Sequence, residues 1–527
     1  MAYVLVTDGI KEDGLQPLLN ESTLTCDIGS LNDYSDRLDQ YEALLVRSAT
    51  KVTAEVLDQM PALRIVARAG VGVDNIDIDA ATKRGVIVVN APDGNTISTT
   101  EHTFAMMASL ARNIPQGTSS LKSGKWMRKQ YVGTELSGKT LGIVGMGRIG
   151  TELSRRARAF GMDVVVFDPF LTNDRAEKLD VQSVEFDHLL EVADIITVHT
   201  PLTDKTRGLL NEETLAKTKK GVFLINCARG GIIDEKALIP YLDSGHIGGV
   251  ALDVFVTEPP EADHPLLRYD QVIATPHLGA STKEAQLNVA AQVADEVLHF
   301  LKEKPIRNAI NLPGFSKEEY EKIKPYYELT RKMGSILSQC MKSAVNLVEV
   351  TYAGKLTELD TAILTRNLMA SFLKSRLDTT VNEVNAPSIA KERGITYGEK
   401  HSSETHGYSN LISVSVKGDK EAFSLQGTYI KEYGDRITQL NGFDIDFHPQ
   451  GHLLYIQHND RPGVIGNVGK VLGEHEINIA TMQVGRKTAG GEAIMMLSFD
   501  APLPKNIEET LETVQDIVKV EQIGGVS

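Results

Sequence analysis

The first three hundred residues repeat one unit: a short run of Val, Ile and Leu closing on Gly, Asp, Asn or another polar residue, followed by an amphipathic stretch. The runs are YVLVTDG, ALLVRS, RIVARAG, VIVVNAP, TLGIVGMG, DVVVFDP, DIITVHTP, VFLINCARG, GGVALDVF and QVIATPHLG. A strand that is apolar along its whole length is covered on both faces, as in a parallel sheet flanked by helices. This region is therefore expected to be α/β, with ligands bound in the crevice outside the carboxyl ends of the strands. A chain of 527 residues is also too long for one core, and three or four domains are expected.

After Pro305 the pattern changes. NLPGFSKEEYEKIKP reads as a hinge leading to a mixed α+β segment, in which LISVSVKGDKEAFSLQGTYI alternates as an antiparallel hairpin around Gly-Asp. From His452 the order is strand, helix, strand, strand, helix, strand. That is the ferredoxin-like arrangement, read here as a unit complete in itself.

The formal charge of −15 argues against a protein that tracks nucleic-acid phosphates or adheres to acidic membranes, so an anionic ligand needs locally placed arginines. Cys26, Cys227 and Cys340 are too scattered for a disulfide framework or a zinc ribbon. The start lacks a basic and apolar leader and no run approaches a bilayer span, so a cytoplasmic location is expected. His401, Glu404 and His406 lie in HSSETHGYSN, which reads as a polar turn, and no metal site is expected.

Thr140 to Asp168 carries the sharpest signal. A strand leads into Gly145-x-Gly147-x-x-Gly150, then come a helix, a second strand and an acid 18 residues beyond the last glycine. Gly145 permits the tight turn, Gly147 lets the backbone approach a diphosphate, and Gly150 allows the helix to pack on the sheet. The amides of Arg148 and Ile149 then face phosphate at a helix start. Asp168 is placed to accept from the ribose hydroxyls and to repel a 2′-phosphate, which selects NAD over NADP.

Three other strand ends supply reactive side chains: Arg229 in NCARGG, Glu258 in DVFVTEPP and His277 in ATPHLGAS. Oxidising a 2-hydroxy acid needs a base for the hydroxyl proton, and imidazole suits that task. A carboxylate beside it holds its orientation and stabilises the imidazolium, while a guanidinium grips the substrate carboxylate in a fork. Arg47 and Ser48 in VRSAT, Arg68 in RAGVG and Asn95 in GNTIS sit where fixed donors can clamp a dianion. Surface ion pairing is the competing reading for Arg47 and Arg68.

The ordered set VRSAT, RAGVGVDNID, NTISTTEH, GIVGMGRIG, VHTPL, NCARGG, ALDVF-x-x-EPP and PHLGAST resembles the D-isomer-specific 2-hydroxyacid dehydrogenase family. The likeness is closest to its long-form branch, which acts on 3-phosphoglycerate and carries an intervening domain and a C-terminal ACT domain. The resemblance implies a two-lobed Rossmann-like catalytic half. A flavodoxin-like substrate lobe is formed from residues 1–97 and 283–310, and an NAD lobe from 98–282. An α+β intervening domain follows over 317–450 and a ferredoxin-like ACT domain over 452–527. By the same resemblance Arg229, Glu258 and His277 form the triad. NAD is contacted at Val71, Arg148, Ile149, Asp168, Thr200, Cys227, Ala228, Arg229, Asp253 and the run His277, Leu278, Gly279, Ala280. Position 71 is often Thr in relatives, so Val71 offers only its backbone. Cys227 is read as packing. The resemblance further implies that His458, Asp460 and Asn478 hold L-serine as an effector between paired copies, and that the assembly is a homotetramer. Rival readings are a reductase of another 2-oxo acid, such as 2-oxoglutarate or glyoxylate, and a non-catalytic NAD-sensing scaffold.

Overall fold

A computed structural model describes residues 2–315, 317–504 and 506–526. Its amino-terminal half contains two wholly parallel sheets. The first has the spatial order Leu24–Ile28, Ala2–Val6, Tyr41–Val46, Ile65–Arg68, Ile87–Asn90. The second runs Val272–Ala274, Ile247–Leu252, Val222–Asn226, Ile195–Val198, Thr140–Val144, Asp163–Phe167, Gln182–Ser183. In each sheet the winding reverses beside the strand that comes first in the chain, which opens a crevice at the carboxyl ends. In the first sheet that switch point is bordered by Asp8 and Arg47; in the second it is bordered by Gly145 and His199.

Two helices cross between these lobes. Thr96–Ala111 packs on the second sheet, whereas Lys283–Leu301 returns to the first. Val289, Ala290, Val293, Ala294 and Val297 recur at helical spacing and share one core with Val4, Val6, Leu45, Ile65 and Ala67. Thr282 caps this helix by accepting from the Ala285 amide. The strap that follows runs antiparallel along the edge strand Ile87–Asn90, with an isolated bridge between Val89 and Ala309.

The hinge expected over residues 311–325 is largely something else. Ser316 lies outside the described residues, but Lys317–Cys340 is a single helix with Pro325 inside it. Ile323, Tyr326, Leu329, Met333, Ile336, Leu337 and Cys340 are buried at three- and four-residue intervals, and burial of that stripe outweighs the hydrogen bond that Pro325 cannot make. The helix covers a six-stranded sheet in which only Thr396–Ser402 pairs in parallel. The expected hairpin is Asn410–Gly418 with Ala422–Ile430.

The C-terminal sheet is antiparallel, in the order Thr481–Arg486, Glu492–Phe499, Gly451–Asn459, Ile517–Val526. Helices Val464–Glu474 and Ile507–Glu512 cover one face. It is ferredoxin-like, as expected, yet it is not complete in itself. Its other face, with Leu453, Tyr455, Ile494, Met496, Ile523 and Val526, lies in the same core as the helix Lys317–Cys340. The strand EAIMMLSF is accordingly buried almost without alternation. The edge strand begins at Thr481, and the INIA stretch before it, residues 477–480, is a loop. Among the described residues no helix is long and apolar enough to cross a membrane.

Candidate active site between the lobes

The glycine turn follows Thr140–Val144 and opens the helix Arg148–Ala159. Gly145 has φ +98°, which a side chain resists. A Cβ at Gly150 would lie 2.3 Å from the Gly145 carbonyl oxygen, so only glycine lets the helix sit this close. A Cβ at Gly147 would meet no atom within 4 Å: the space in front of the helix start is open. Asp168 ends the neighbouring strand, and its carboxylate is aimed by the Met146 and Phe170 amides at 2.7 and 2.8 Å. The Arg148 side chain reaches across to Asp93 at 2.5 Å, so its backbone rather than its guanidinium is presented at the turn.

Beyond Ile149 a cavity of about 440 Å³ is lined by Val71, Asn95, Thr200, Cys227, Ala228, Arg229, Asp253, His277, Gly279 and Ala280. Two buried polar atoms at its wall, Thr200 Oγ1 and Asn95 Oδ1, have no protein partner. An open cradle at Gly147, an oriented acid at Asp168 and unpaired donors and acceptors along the wall fit a dinucleotide. Cys227 is buried, and burial and the nearby Asp253 charge push its thiol up to about 12, which disfavours the thiolate.

A second cavity, of about 720 Å³, shares the Arg229 and His277 wall and extends to Arg47, Ser48, Arg68, Asn95 and Glu258. Here the structure brings the three strand-end residues together. His277 Nδ1 lies 2.7 Å from Glu258 Oε2, and Glu258 Oε1 accepts from the Phe255 amide at 3.1 Å. With Nδ1–H given to Glu258, His277 Nε2 keeps its lone pair for the cleft. His277 itself has φ +53°, an uncommon conformation for a residue with a side chain.

Asp253 holds that turn in place. Its carboxylate accepts from the Leu278 and Gly279 amides at 2.7 and 2.8 Å and from the Thr275 hydroxyl at 2.6 Å, and it pairs with His102 at 3.1 Å. Burial opposes its charge, but the hydrogen bonds from His102, Thr275 and Leu278 win and keep it below the usual carboxylate range. Asp253 was expected as a cofactor contact; here its carboxylate is largely committed to the protein. Leu278 likewise spends its amide on Asp253.

Around the far end, Asp8 accepts from the Arg47 amide and from the Thr50 amide and hydroxyl, fixing the VRSAT loop. The Arg68 Nε donates to the Arg47 carbonyl at 3.3 Å. Burial, followed by the positive charge of Arg229, pushes the Arg68 guanidinium down to about 10. The charges of Asp74 and Asp8 offset this only in part, so an anion in the cleft would stabilise the guanidinium further. A Cβ at Gly72, the second glycine of RAGVG, would fall 1.9 Å from Arg229 Nη2 and would displace that guanidinium.

Two contributors were not singled out from sequence. Asp74, in the same loop as Gly72, pairs with Arg229 Nε at 3.1 Å across the lobes. His102 faces Asp253. Asn95, Thr99 and His102 stand at i, i+4 and i+7, one face of the helix Thr96–Ala111, and that spacing was a usable signal.

The three residues expected for an effector are not brought together in one chain. His458 is buried, with Nδ1 on the Asn459 carbonyl and Nε2 unpartnered. Asp460 is engaged by the Gly490 amide at 3.0 Å and by Arg486 at 3.3 Å, which hold its carboxyl below the usual range. Asn478 is exposed at the other end of the sheet: Asn459 stands opposite Glu492, whereas Thr481 stands opposite Ser498 and through it Leu453. Six residues of strand amount to about 20 Å.

Comparisons with known proteins accord with this architecture. Residues 104–279 match the model described as D-isomer specific 2-hydroxyacid dehydrogenase, NAD binding domain. Residues 322–441 match that of a D-3-phosphoglycerate dehydrogenase intervening domain, and 452–516 match an ACT domain. The chain is 60% identical over 523 residues, 99% of each sequence, to a D-3-phosphoglycerate dehydrogenase of Bacillus subtilis. It is 43% identical over the full length of both chains to one from Methanocaldococcus jannaschii. Among solved structures it resembles a D-lactate dehydrogenase from Aquifex aeolicus complexed with NAD and lactic acid. There the identity is 31% and the TM-score 0.51, over 57% of this chain and 96% of that one.

Proposed function

The chain belongs to the D-isomer-specific 2-hydroxyacid dehydrogenase family, and from that premise we propose how its cleft works and which residues carry the reaction. It is an NAD-dependent oxidoreductase that oxidises C2 of 3-phospho-D-glycerate to 3-phosphooxypyruvate, the first step toward L-serine. NAD, held along Gly145–Gly150, Asp168 and the cavity from Ile149 to Ala280, supplies the hydride acceptor when bound.

His277 Nε2 takes the hydroxyl proton. Glu258, on the other ring nitrogen, keeps the imidazole turned to the cleft and stabilises the imidazolium that results. Arg229 grips the substrate carboxylate and the reacting oxygen, with Asp74 steadying its Nε. Arg47 and Arg68, with Ser48 and Asn95, receive the phosphate. Residues 1–97 with 283–310, 98–282, 317–450 and 452–527 act as substrate lobe, NAD lobe, intervening domain and ACT domain. In a cytoplasmic homotetramer, paired ACT domains bind L-serine between Asp460 of one chain and Asn478 of the partner subunit.

The observation that carries the phosphate assignment is the convergence of Arg47, Arg68 and Arg229 on one cleft beside His277. The test is NADH formation with 3-phospho-D-glycerate against unphosphorylated D-glycerate, in wild type and Arg68→Ala. Loss of a charge-assisted contact worth about 1.5–3 kcal/mol is expected to raise KM roughly 10- to 100-fold for the phosphorylated substrate alone. An equal rise for both substrates would return Arg68 to a structural role and strengthen the case for another 2-oxo acid.

A further inference from the structure

The cleft is braced by a second imidazole–carboxylate pair that touches neither cavity. Glu235 is the first residue of the helix Glu235–Asp243, where the helix dipole favours an anion. Its Oε2 lies 3.2 Å from His264 Nε2, and its Oε1 accepts from the Val256 amide at 2.7 Å. The two side chains are only 15% and 17% exposed, so this is not a solvent-screened surface contact. The Phe255 ring closes over His264, edge-on at 5.4 Å.

The peptide that Glu235 holds is the one on which the reactive groups rest. The Phe255 amide, next along the chain, donates to Glu258 Oε1. Gly230, beside Arg229, runs so close that a Cβ there would lie 1.9 Å from the Phe255 carbonyl oxygen. One anchored segment, Phe255–Val256, therefore supports the carboxylate behind His277 and the turn that presents Arg229.

We propose that Glu235 and His264 are positioning residues of the dehydrogenase reaction, acting through the Phe255–Val256 backbone to set Glu258 and Arg229. The proposal rests on the roles given above to those two residues. A displacement of about 1 Å in such a constellation costs on the order of 100-fold in rate. The charged acceptor gives the Val256 amide a stronger bond than a neutral one would, and His264 fixes the rotamer from which it is given.

The test uses the full-length protein with Glu235→Ala, Glu235→Gln, His264→Gln, Glu258→Ala and the double variant Glu235→Ala/Glu258→Ala. Turnover, KM for 3-phospho-D-glycerate, NADH affinity by fluorescence and melting temperature are measured on each. Glu235→Ala is expected to lower kcat roughly 10- to 100-fold with KM and NADH affinity within about 3-fold of wild type. Glu235→Gln and His264→Gln, which keep an acceptor for Val256 and a donor for Glu235, are expected to recover most of it. The double variant is expected to lose clearly less than the product of the two single losses, because the Glu258 share of the support is already gone and only the Arg229 share remains to be lost. Full multiplication of the two losses, or wild-type kcat in Glu235→Ala beside an impaired Glu258→Ala, would overturn the positioning role. A fall in NADH affinity and melting temperature shared by Glu235→Ala and Glu235→Gln would reduce the pair to fold stability. Wild-type turnover in Glu258→Ala would remove Glu258 from the mechanism, and this inference with it.

Discussion

The interlobe cleft and the C-terminal sheet are both read from short motifs, but they assemble differently. In the cleft, residues that follow eight strands of one chain meet, because two parallel sheets direct their carboxyl ends toward the same crevice. In the C-terminal sheet, Asp460 and Asn478 lie at opposite ends of antiparallel strands, and no motion short of unfolding unites them within one copy. A parallel sheet gathers its loops at one end, whereas an antiparallel meander divides them between two. The side chains that line the cleft come from one chain, while a site using both Asp460 and Asn478 needs a second.

The contrast can be broken most sharply by excising residues 452–527. Tyr455, Ile494, Met496 and Ile523 would lose their cover from the helix Lys317–Cys340. At about 1.5–3 kcal/mol each, or about 6–12 kcal/mol together, that is as large as the whole stability of a small domain. Circular dichroism and sedimentation of the fragment are expected to show loss of structure or self-association, whereas residues 317–527 together stay folded. A monomeric, cooperatively melting fragment would contradict the shared core.

A smaller but still large effect is expected at the centre of the cleft. His277→Ala should lower kcat about 1000-fold, within the range of general base catalysis, while NADH still binds by fluorescence titration. Turnover equal to wild type would mean that the paired imidazole does no proton chemistry.

His199, at the cavity wall, tests the cleft through pH. Burial pushes its imidazole down to about 4, so between pH 6.5 and 4 the unfolded chain carries a proton that the folded chain refuses. Stability from this residue is full above pH 6.5 and falls by about 3 kcal/mol as pH drops to 4. Melting curves over that interval should show the loss in wild type and a shallower slope in His199→Gln.

The mildest prediction concerns the C-terminal sheet. Asp460→Ala and Asn478→Ala homo-oligomers should each bind L-serine about 10-fold more weakly in calorimetry, in line with loss of one polar contact of about 1.4 kcal/mol. Hybrids of the two should regain tight sites, since one interface then keeps an intact Asp460 and an intact Asn478 from different chains. Hybrids no better than the parents would disprove a shared site.

Much of the cleft was legible because its parts are locally encoded. Glycine spacing decides where backbone can turn or approach closely, and continuous apolar runs mark strands whose ends face a crevice. Asp74 was not legible, because nothing within its own loop shows that Arg229 lies opposite. The helix over residues 317–340 was obscured by Pro313, Gly314 and Pro325, although Ile323, Tyr326, Leu329 and Met333 already carried its period. The second buried face of the C-terminal sheet was visible in the unbroken IMML of its central strand, a pattern that an independent one-faced sheet would not show.

The sequence by itself determined the strand and helix order of the first three hundred residues, the dinucleotide turn and which side chains stand at the strand ends, because those depend on backbone dihedrals and on periods of two and 3.6 residues. Tertiary structure alone decided that Asp253 and Asp8 serve the protein's own loops, that Glu235 anchors the segment behind Glu258, and that His458 is buried. Such pairings join elements far apart in the chain, and their register comes from many weak packing contacts summed over whole sheets, which no single stretch of residues contains.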